Sequence, residues 1–357
     1  MTEQPRIPIA ILGGTGYVAG ELARLVLGHP RFVLAAMAST SQVGEPITAT
    51  FAHLAGTAAD GLVFEAPEAI GRLFTPDAPV GVFAATPHGA TAGLLEVVLN
   101  AGERTRAKLR VVDLSADFRF ADAATYQRIY GQPHPTPQRL AEFTCTVPEH
   151  FQGRPARHAT QPGCFTTSVV LAAYPFLADD LVEDEIFVAA ITGSSGSGRK
   201  LGQGTHHPER RSNLYSYSAL AHRHEPEMRM LLAAARGGRA PEVEFVPHSG
   251  PFVRGIHATL RLRLRDALPA NALVDRVNRF YAHSPFVRAT LEAPKLTEVV
   301  GTNRCRLGVA VRGRTLVVTS VIDNLIKGAA GGGLQWMNRL FDFPDDTGLQ
   351  LAGLGWY

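Results

Sequence analysis

Apolar residues along this chain fall into short runs, each followed by a turn and then by a segment with helical spacing. The first run, Ile7–Leu12, leads into Gly13–Gly16. Glu21–Leu27 then places apolar side chains one helical turn apart, and Phe32–Ala38 has the pattern of a second buried strand. A strand, a glycine turn, a helix and a strand predict the start of a doubly wound parallel sheet in an α/β fold.

The alternation of strands and helices continues through the first half of the chain. Strands are predicted at Val80–Ala84 and Leu109–Leu114, and helices at Ala90–Asn100 and Thr166–Leu177. Ligands of such sheets bind at the carboxyl ends of the strands, so the polar strand ends are candidate site loops. A second sheet and a last helix are predicted at Phe187–Thr192, Val243–Val246, Ala258–Leu264, Leu316–Val321 and Ala329–Phe341.

The first glycine turn has the features of a dinucleotide-binding loop. Residues 14–19 fit the pattern G-x-G-x-x-A between a strand and a helix, where backbone N–H groups can meet a pyrophosphate. The second strand ends in Ser39, Thr40 and Ser41, with no carboxylate to repel a 2′-phosphate. The pattern therefore favours NADP over NAD, with a plain polar loop as the alternative.

Cys164 is the candidate nucleophile. It follows Pro162-Gly163 and precedes a predicted helix, and a helix amino terminus lowers the pKa of a thiol. The alternative is a buried, inert cysteine, which is the interpretation adopted for Cys145 and Cys305. His222 and His224, followed by Glu227, offer a base for the thiol. No further residue stands at a metal-ligand spacing, so no metal is expected.

A second glycine-rich loop, residues 193–200, follows a predicted strand and ends in Arg199-Lys200. Its backbone amides and two cations suit a phosphate, although a flexible hairpin tip has a similar composition.

Composition excludes several classes of protein. The 357 residues carry a net charge of +3 with scattered arginines, so no nucleic-acid partner is expected. No secretory signal and no apolar run of membrane-spanning length is present, so no membrane partner is expected. Three widely spaced cysteines suit reduced thiols in the cytoplasm.

Taken together, the motifs resemble one family nearly from end to end, the N-acetyl-gamma-glutamyl-phosphate reductases of arginine biosynthesis. The motifs are Gly13–Leu22, Thr86–Gly89, Asp113–Arg119, Val147–Glu149, Pro162–Cys164, Gly198–Lys200, His222–His224 and, most specifically, Ile322–Gly331. Three positions depart from the usual family pattern, because Thr40, Gln161 and Phe165 stand where the family commonly has Arg, Asn and Tyr.

The resemblance implies a Rossmann domain, residues 1–163 completed by a C-terminal helix in 328–357. It also implies a second α+β domain, residues 164–327, like that of glyceraldehyde-3-phosphate and aspartate-semialdehyde dehydrogenases, in a homodimer or homotetramer. Cys164 would be the nucleophile and His222 the general acid/base. Residues expected to bind NADP(H) are Gly13, Gly14, Thr15, Gly16, Tyr17, Val18, Ser39, Thr40, Pro87, Ser195, Gly196 and Asn324. Residues expected to bind the substrate are Ser115, Arg119, Arg199, Lys200, His224, Glu227 and Arg254.

The implied reaction is the NADPH-dependent reduction of N-acetyl-gamma-glutamyl phosphate to N-acetylglutamate 5-semialdehyde through a cysteine thioester. Two alternatives stay open. Residues 206–210 also resemble reductases of lysine biosynthesis that act on a carrier-protein-linked aminoadipyl phosphate. A non-catalytic NADP-sensing Rossmann protein is the other alternative.

Overall fold

A computed structural model of the chain describes residues 5–355. In these residues Cys145, Cys164 and Cys305 form no disulfide. The strands are β1 (Ile7–Leu12), β2 (Phe32–Ala38), β3 (Phe64–Glu65), β4 (Pro79–Ala84), β5 (Lys108–Asp113), β6 (Phe143–Cys145), β7 (His158–Thr160), β8 (Val182–Thr192), β9 (Tyr215–Ser216), β10 (Glu242–Ser249), β11 (Ile256–Leu264), β12 (Val287–Thr290), β13 (Cys305–Arg312) and β14 (Thr315–Ile322).

Residues 5–355 contain nine α-helices. A π-helical turn, Ile326–Ala330, directly precedes the last of them. The helices are α1 (Tyr17–Leu27), α2 (Ile47–Thr50), α3 (Thr91–Thr105), α4 (Ala123–Tyr130), α5 (Cys164–Ala178), α6 (His207–Arg210), α7 (Glu225–Ala233), α8 (Ala270–Phe280) and α9 (Gly331–Leu340).

The chain divides into two compact units. The first runs to Gln161 and includes Ala330–Gln350, and the second comprises Pro162–Ala329 and the residues from Leu351. The sheet of the first unit has the order β3-β2-β1-β4-β5-β7-β6, with every pair of neighbours parallel. The predicted doubly wound sheet is confirmed. Its strand order reverses between β1 and β4, where such sheets bind ligands at their carboxyl ends.

Burial explains why the first strands could be predicted. Ile9, Ala10, Ile11 and Leu12 are fully buried, because β1 lies in the middle of a sheet with both faces covered. In the same unit α9 contacts β5, β7 and α1.

The second unit contains a mixed sheet of the order β12-β13-β14-β11-β8-β10-β9. Pairs β8–β10 and β12–β13 are parallel, and the others are antiparallel. Helix α5 packs on β8, β11 and β14, and α7 packs on β10. The predicted second α+β domain is confirmed, and α5 reaches this sheet with Cys164 as its first residue.

Candidate active site

The glycine turn of the first unit is shaped by contacts that leave one side open. Gly13 has φ +75°, and a Cβ there would lie 2.6 Å from the Thr86 methyl group. The Gly14 N–H donates to the Ala38 carbonyl at 2.8 Å, which ties the turn to β2. A Cβ built on Gly16, the residue before α1, would meet nothing within 4 Å. The turn therefore offers helix N–H groups and open space to a phosphate.

The end of β2 presents hydroxyl groups. Ser39 is buried and its Oγ accepts the Ser41 N–H at 3.2 Å, whereas the Thr40 and Ser41 side chains are exposed. On the neighbouring strand β3, the Glu65 carboxylate accepts a hydrogen bond from Arg72 Nε at 3.0 Å. Its charge is therefore partly balanced.

The loop after β5 is held by buried polar contacts. Ser115 donates its N–H and Oγ–H to the two Asp113 oxygens at 2.8 and 3.0 Å. Arg119 is 4% exposed and donates to the carbonyls of Gln161 at 3.1 Å and Leu114 at 3.3 Å. Both residues were expected to bind substrate, and the structure shows them supporting the loop. Burial, followed by the charge of Asp117, raises the pKa of Asp113 to about 6.

The loop after β4 joins this network. His88 Nδ1 accepts the Ala116 N–H at 2.9 Å, and Pro87 beside it is exposed. Asp117 accepts the N–H groups of Gly89, Thr91 and Ala92 at 2.8 to 3.0 Å. A carboxylate at the start of α3 is stabilised by those donors and by the helix dipole.

Cys164 begins α5 in the second unit and is half-buried. The N–H of the preceding Gly163 donates to Glu227 Oε1 at 2.7 Å, and Glu227 is fully buried in the first turn of α7. The thiol therefore stands at a helix amino terminus that this hydrogen bond holds in place, and the helix dipole there favours the thiolate.

The two predicted histidines come together beside this helix. Their ring centroids are 4.7 Å apart, and a Cβ on Gly163 would lie 2.5 Å from His224 Nε2. His222 Nδ1 accepts the His224 N–H at 3.1 Å, so the proton of the neutral ring resides on Nε2. Burial, followed by the charge of Arg223, lowers the pKa of His222 to about 4. His222 is therefore a neutral hydrogen-bond donor at Nε2.

Phe165 and Tyr217 complete the surroundings of His222. The Phe165 ring meets His222 edge-on at 5.7 Å and His224 at 6.2 Å. The ring centroids of Tyr217 and His222 are 5.7 Å apart. Burial, followed by the charge of Cys164, raises the pKa of Tyr217 above its usual range. Sequence reasoning missed Tyr217. Its signal would have been the alternation of Tyr215 and Tyr217 shortly before the histidine pair.

Three residues expected to bind the cofactor meet in the second unit. Asn324 Oδ1 accepts the Gly255 N–H at 2.7 Å, and its Nδ2 donates to Ser195 Oγ at 3.0 Å. The Ser195 hydroxyl donates to the Val253 carbonyl at 2.6 Å, and a Cβ on Gly196 would lie 3.9 Å from Asn324 Nδ2.

The predicted cations lie in different environments. Arg254 Nη2 is 3.0 Å from Asp323 Oδ2, so this guanidinium has a buried carboxylate as partner. Arg199 and Lys200 are exposed on the loop after Gly198.

Among residues 5–355, no group of three His, Cys, Asp or Glu side chains is arranged to hold a metal ion. In the same range no helix has the length and apolar character needed to cross a membrane.

Comparisons with known proteins extend these observations. Residues 8–149 match the family model of the semialdehyde dehydrogenase NAD binding domain, and residues 164–324 match that of the semialdehyde dehydrogenase dimerisation domain. The chain resembles aspartate semialdehyde dehydrogenase II of Vibrio cholerae with a TM-score of 0.70 at 14% identity, covering 95% of this chain and 99% of that one. It resembles the Candida albicans enzyme, solved with NADP, with a TM-score of 0.63 at 15% identity, covering 96% and 99%. Identities this low show the fold alone.

The curated relatives are closer in sequence. N-acetyl-gamma-glutamyl-phosphate reductase of Symbiobacterium thermophilum is 39% identical, covering 97% of this chain and 98% of the relative. The protein of the same name from Pseudomonas syringae is 38% identical, covering 98% and 99%. This similarity extends over nearly the whole length of each protein and confirms the resemblance seen in the motifs. The chain belongs to the N-acetyl-gamma-glutamyl-phosphate reductase family.

Proposed function

We propose that this chain is an NADPH-dependent reductase that converts N-acetyl-gamma-glutamyl phosphate into N-acetylglutamate 5-semialdehyde and phosphate. The observation that carries the proposal is Cys164 at the amino terminus of α5, beside a histidine pair and a buried glutamate. A sensor protein would have no need of an activated thiol in this setting. Relatives of the same name over nearly the full length favour the acetyl-glutamyl substrate over a carrier-linked aminoadipyl phosphate.

The cysteine carries the covalent step. The Cys164 thiolate attacks the acyl carbon, a carbon–sulfur bond forms, and the carbon–oxygen bond to phosphate breaks. The hydride that reduces the resulting thioester would come from NADPH when it is bound. The thiohemiacetal anion then expels the thiolate, which gives the aldehyde and restores Cys164, while the released phosphate takes a proton from solvent.

His222 would hold a proton at Nε2 throughout this sequence. Its hydrogen bond to the substrate oxygen would stabilise the negative charge that develops at each tetrahedral stage. Since Nδ1 accepts the His224 N–H, His222 is oriented for this donation. This assigns the predicted acid/base residue mainly to oxyanion stabilisation. Glu227 and His224 would orient the helix amino terminus and the ring.

The glycine turn fits a dinucleotide, because Gly16 has open space beside the first turn of α1. Residues 13–18 would hold the pyrophosphate, and Ser39 and Thr40 the 2′-phosphate. We propose NADP as the preferred cofactor because hydroxyl groups, and no carboxylate, end β2. Pro87, Ser195 and Gly196 stay predicted cofactor contacts, and Asn324 stays the predicted contact of the nicotinamide amide.

Anion binding is proposed for the exposed cations of the loop after Gly198. Arg199 and Lys200 would meet the phosphate or carboxylates of the substrate. For Ser115, Arg119 and Arg254 the proposal of substrate contact competes with the partners seen in the structure.

The match to a dimerisation domain supports an oligomer. We propose a homodimer or homotetramer in which the outer face of the second sheet forms an interface. On that face Phe187 is 38% exposed and lies between Glu244 and Arg261 on neighbouring strands. An apolar centre flanked by opposite charges suits a self-complementary contact.

Two further expectations stay predictions. They are the domain boundaries after residues 163 and 327, and the cytoplasmic location.

The reverse reaction tests the proposal. N-acetylglutamate semialdehyde, phosphate and NADP are mixed with the protein, and NADPH is followed by absorbance, with Cys164→Ser as the control. Phosphate-dependent turnover that is much weaker with NAD, and absent in C164S, is the expected result. Turnover only with a carrier-linked aminoadipate semialdehyde would replace the substrate. NADPH binding without turnover on either substrate would favour the sensor.

A further inference from the structure

The buried carboxylate of Asp323, directly after β14, gathers hydrogen bonds from three segments of the second unit. Asp323 is fully buried. Its Oδ1 accepts the N–H groups of Leu325 at 2.8 Å and Ile326 at 3.1 Å. Its Oδ2 accepts the Gly301 N–H at 2.8 Å and lies 3.0 Å from Arg254 Nη2. This acidic group therefore determines the course of the chain after β14.

The turn that Asp323 organises lies against the nucleophile. The Asp323 carbonyl accepts the Gly328 N–H at 3.0 Å, which closes the turn. A Cβ on Gly328 would lie 2.6 Å from the Cys164 Cβ and 3.0 Å from its Cα. The backbone at Gly328 is thus in direct contact with Cys164, and any shift of the turn changes the space of the thiol.

The ends of β11 and β14 that hold Asp323 also hold Asn324. Arg254 and Gly255 are neighbours before β11, and Asp323 and Asn324 are neighbours after β14. Arg254 binds Asp323 through its side chain, and the Gly255 N–H binds Asn324 Oδ1 at 2.7 Å. Two adjacent residues of one strand end therefore hold two adjacent residues of the other.

We propose that Asp323 is a positioning residue of the reaction, which holds Cys164 and Asn324 in their working places with Arg254 as its charged partner. This inference rests on the proposed function. It gives Arg254 a role that needs no contact with substrate. Because Asp323 is fully buried, it acts through Gly328 and Asn324 and touches no reactant.

An acidic group is required at this position for a physical reason. Four donors surround the carboxylate, and an amide in its place would turn an NH2 group toward some of them. Arg254 would then lose the charge of its partner in a largely buried position, which a protein tolerates poorly. Asp323→Asn keeps nearly the shape of the native side chain. It should still disrupt the turn, because the charge and one acceptor are lost.

The test compares D323N with D184N. Asp184 also binds two arginines, Arg236 at 2.9 Å and Arg239 at 2.8 Å, but it lies in β8 away from the turn. The readouts are the rate of Cys164 alkylation by iodoacetamide at pH 7, the KM for NADPH, kcat and the thermal midpoint. R254K, which keeps the charge and loses the planar fork, is the conservative variant.

We expect D323N to slow alkylation about tenfold, to lower kcat about 100-fold and to raise the KM for NADPH, since small displacements at a reaction centre have effects of this size. R254K should fall between D323N and the native protein. D184N should alter only the thermal midpoint. If D323N does not fold, the double variant D323N/R254Q, which leaves no unpaired buried charge, is measured for the same effects.

Alkylation and KM values of D323N, or of the double variant, within twofold of the native protein would overturn the positioning role. The alkylation rate needs no substrate. A native protein without reductase activity would therefore contradict the proposed function, while the comparison of D323N with D184N would still decide this inference.

Discussion

The N–H of Gly163 donates to the buried carboxylate of Glu227 at 2.7 Å, one residue before Cys164, the proposed nucleophile. The two residues are 64 positions apart in the chain, and their contact joins the start of α5 to the start of α7. A buried donor without a partner is costly, so Glu227 fixes the residue on which the orientation of Cys164 depends.

Replacing Glu227 by alanine should reveal this dependence. Glu227→Ala leaves the Gly163 N–H without its acceptor, and we expect the free energy of unfolding to fall by about 1–3 kcal/mol. Alkylation of Cys164 should slow as well. Urea unfolding and the iodoacetamide rate measure the two effects. Glu225→Ala is the control, because Glu225 stands in the same first turn, is only half-buried and has Arg229 as its partner at 3.5 Å. Equal stability of the two variants would refute the importance of this contact.

Removal of the His222 donor should affect turnover and spare cofactor affinity. His222→Asn takes away the Nε2–H that we assign to the substrate oxygen, so kcat should fall by about 10²- to 10⁴-fold. The dissociation constant of NADPH should stay within twofold of the native value, as fluorescence titration would show. A variant that loses NADPH binding and keeps its residual kcat would contradict the assignment.

The close approach of the Gly328 backbone to Cys164 should be essential to the reactivity of the thiol. In Gly328→Ala the new Cβ would lie 2.6 Å from the Cys164 Cβ, so one of the two must move. We expect a lower thermal midpoint and at least about tenfold slower alkylation. Gly93→Ala is the matched control, because a Cβ there meets nothing within 4 Å and helix α3 favours alanine. Similar alkylation rates in the two variants would show that the contact is unimportant.

Two buried histidines of the first unit should make stability depend on pH. Burial lowers the pKa of His29 to about 4 and that of His158 to about 3, both below the ordinary value of 6.5. The unfolded chain therefore binds more protons below pH 6.5, and stability falls as the pH is lowered from 6.5 toward 4. Each histidine should remove about 2 kcal/mol between pH 7 and pH 5.

Urea unfolding at pH 7 and pH 5 measures this loss. His158→Asn should be less stable than the native protein at pH 7, because the side chain accepts the Val111 N–H at Nδ1. Its additional loss at pH 5 should be about 2 kcal/mol smaller than that of the native protein. An unchanged loss would mean that His158 titrates normally.

The proposed interface predicts a change of mass in solution. Phe187→Asp places a charge at the apolar centre of the outer sheet face, so the oligomer should dissociate into smaller species in sedimentation velocity experiments. Val33→Asp is the control, because Val33 on β2 has nearly the same exposure, 39% against 38%. An F187D oligomer of native size would exclude this face as the interface.

Local sequence determined the elements of the first sheet. The predicted bounds of β1 and β2 agree with the structure, because buried parallel strands are continuous apolar runs that a sequence displays directly. Helix α8 was missed, since only Leu273 and Val277 on it are buried and its polar positions hide the helical spacing. Strand β13 was missed because arginines stand at its second and last positions.

The sequence also placed Cys164 at the start of a helix, because a thiol after Pro-Gly and before a helical pattern is a local signal, and α5 begins at this residue. Its role as nucleophile stays a prediction. The contacts that hold the surroundings of this thiol could not be predicted in the same way. Glu227 and Gly163 are 64 residues apart, and Asp323 and Arg254 are 69 apart, so no local pattern links them. Only the tertiary structure brings these groups together. A buried carboxylate is stable only with hydrogen-bond donors or a positive charge close to it in space, and these can come from any part of the chain.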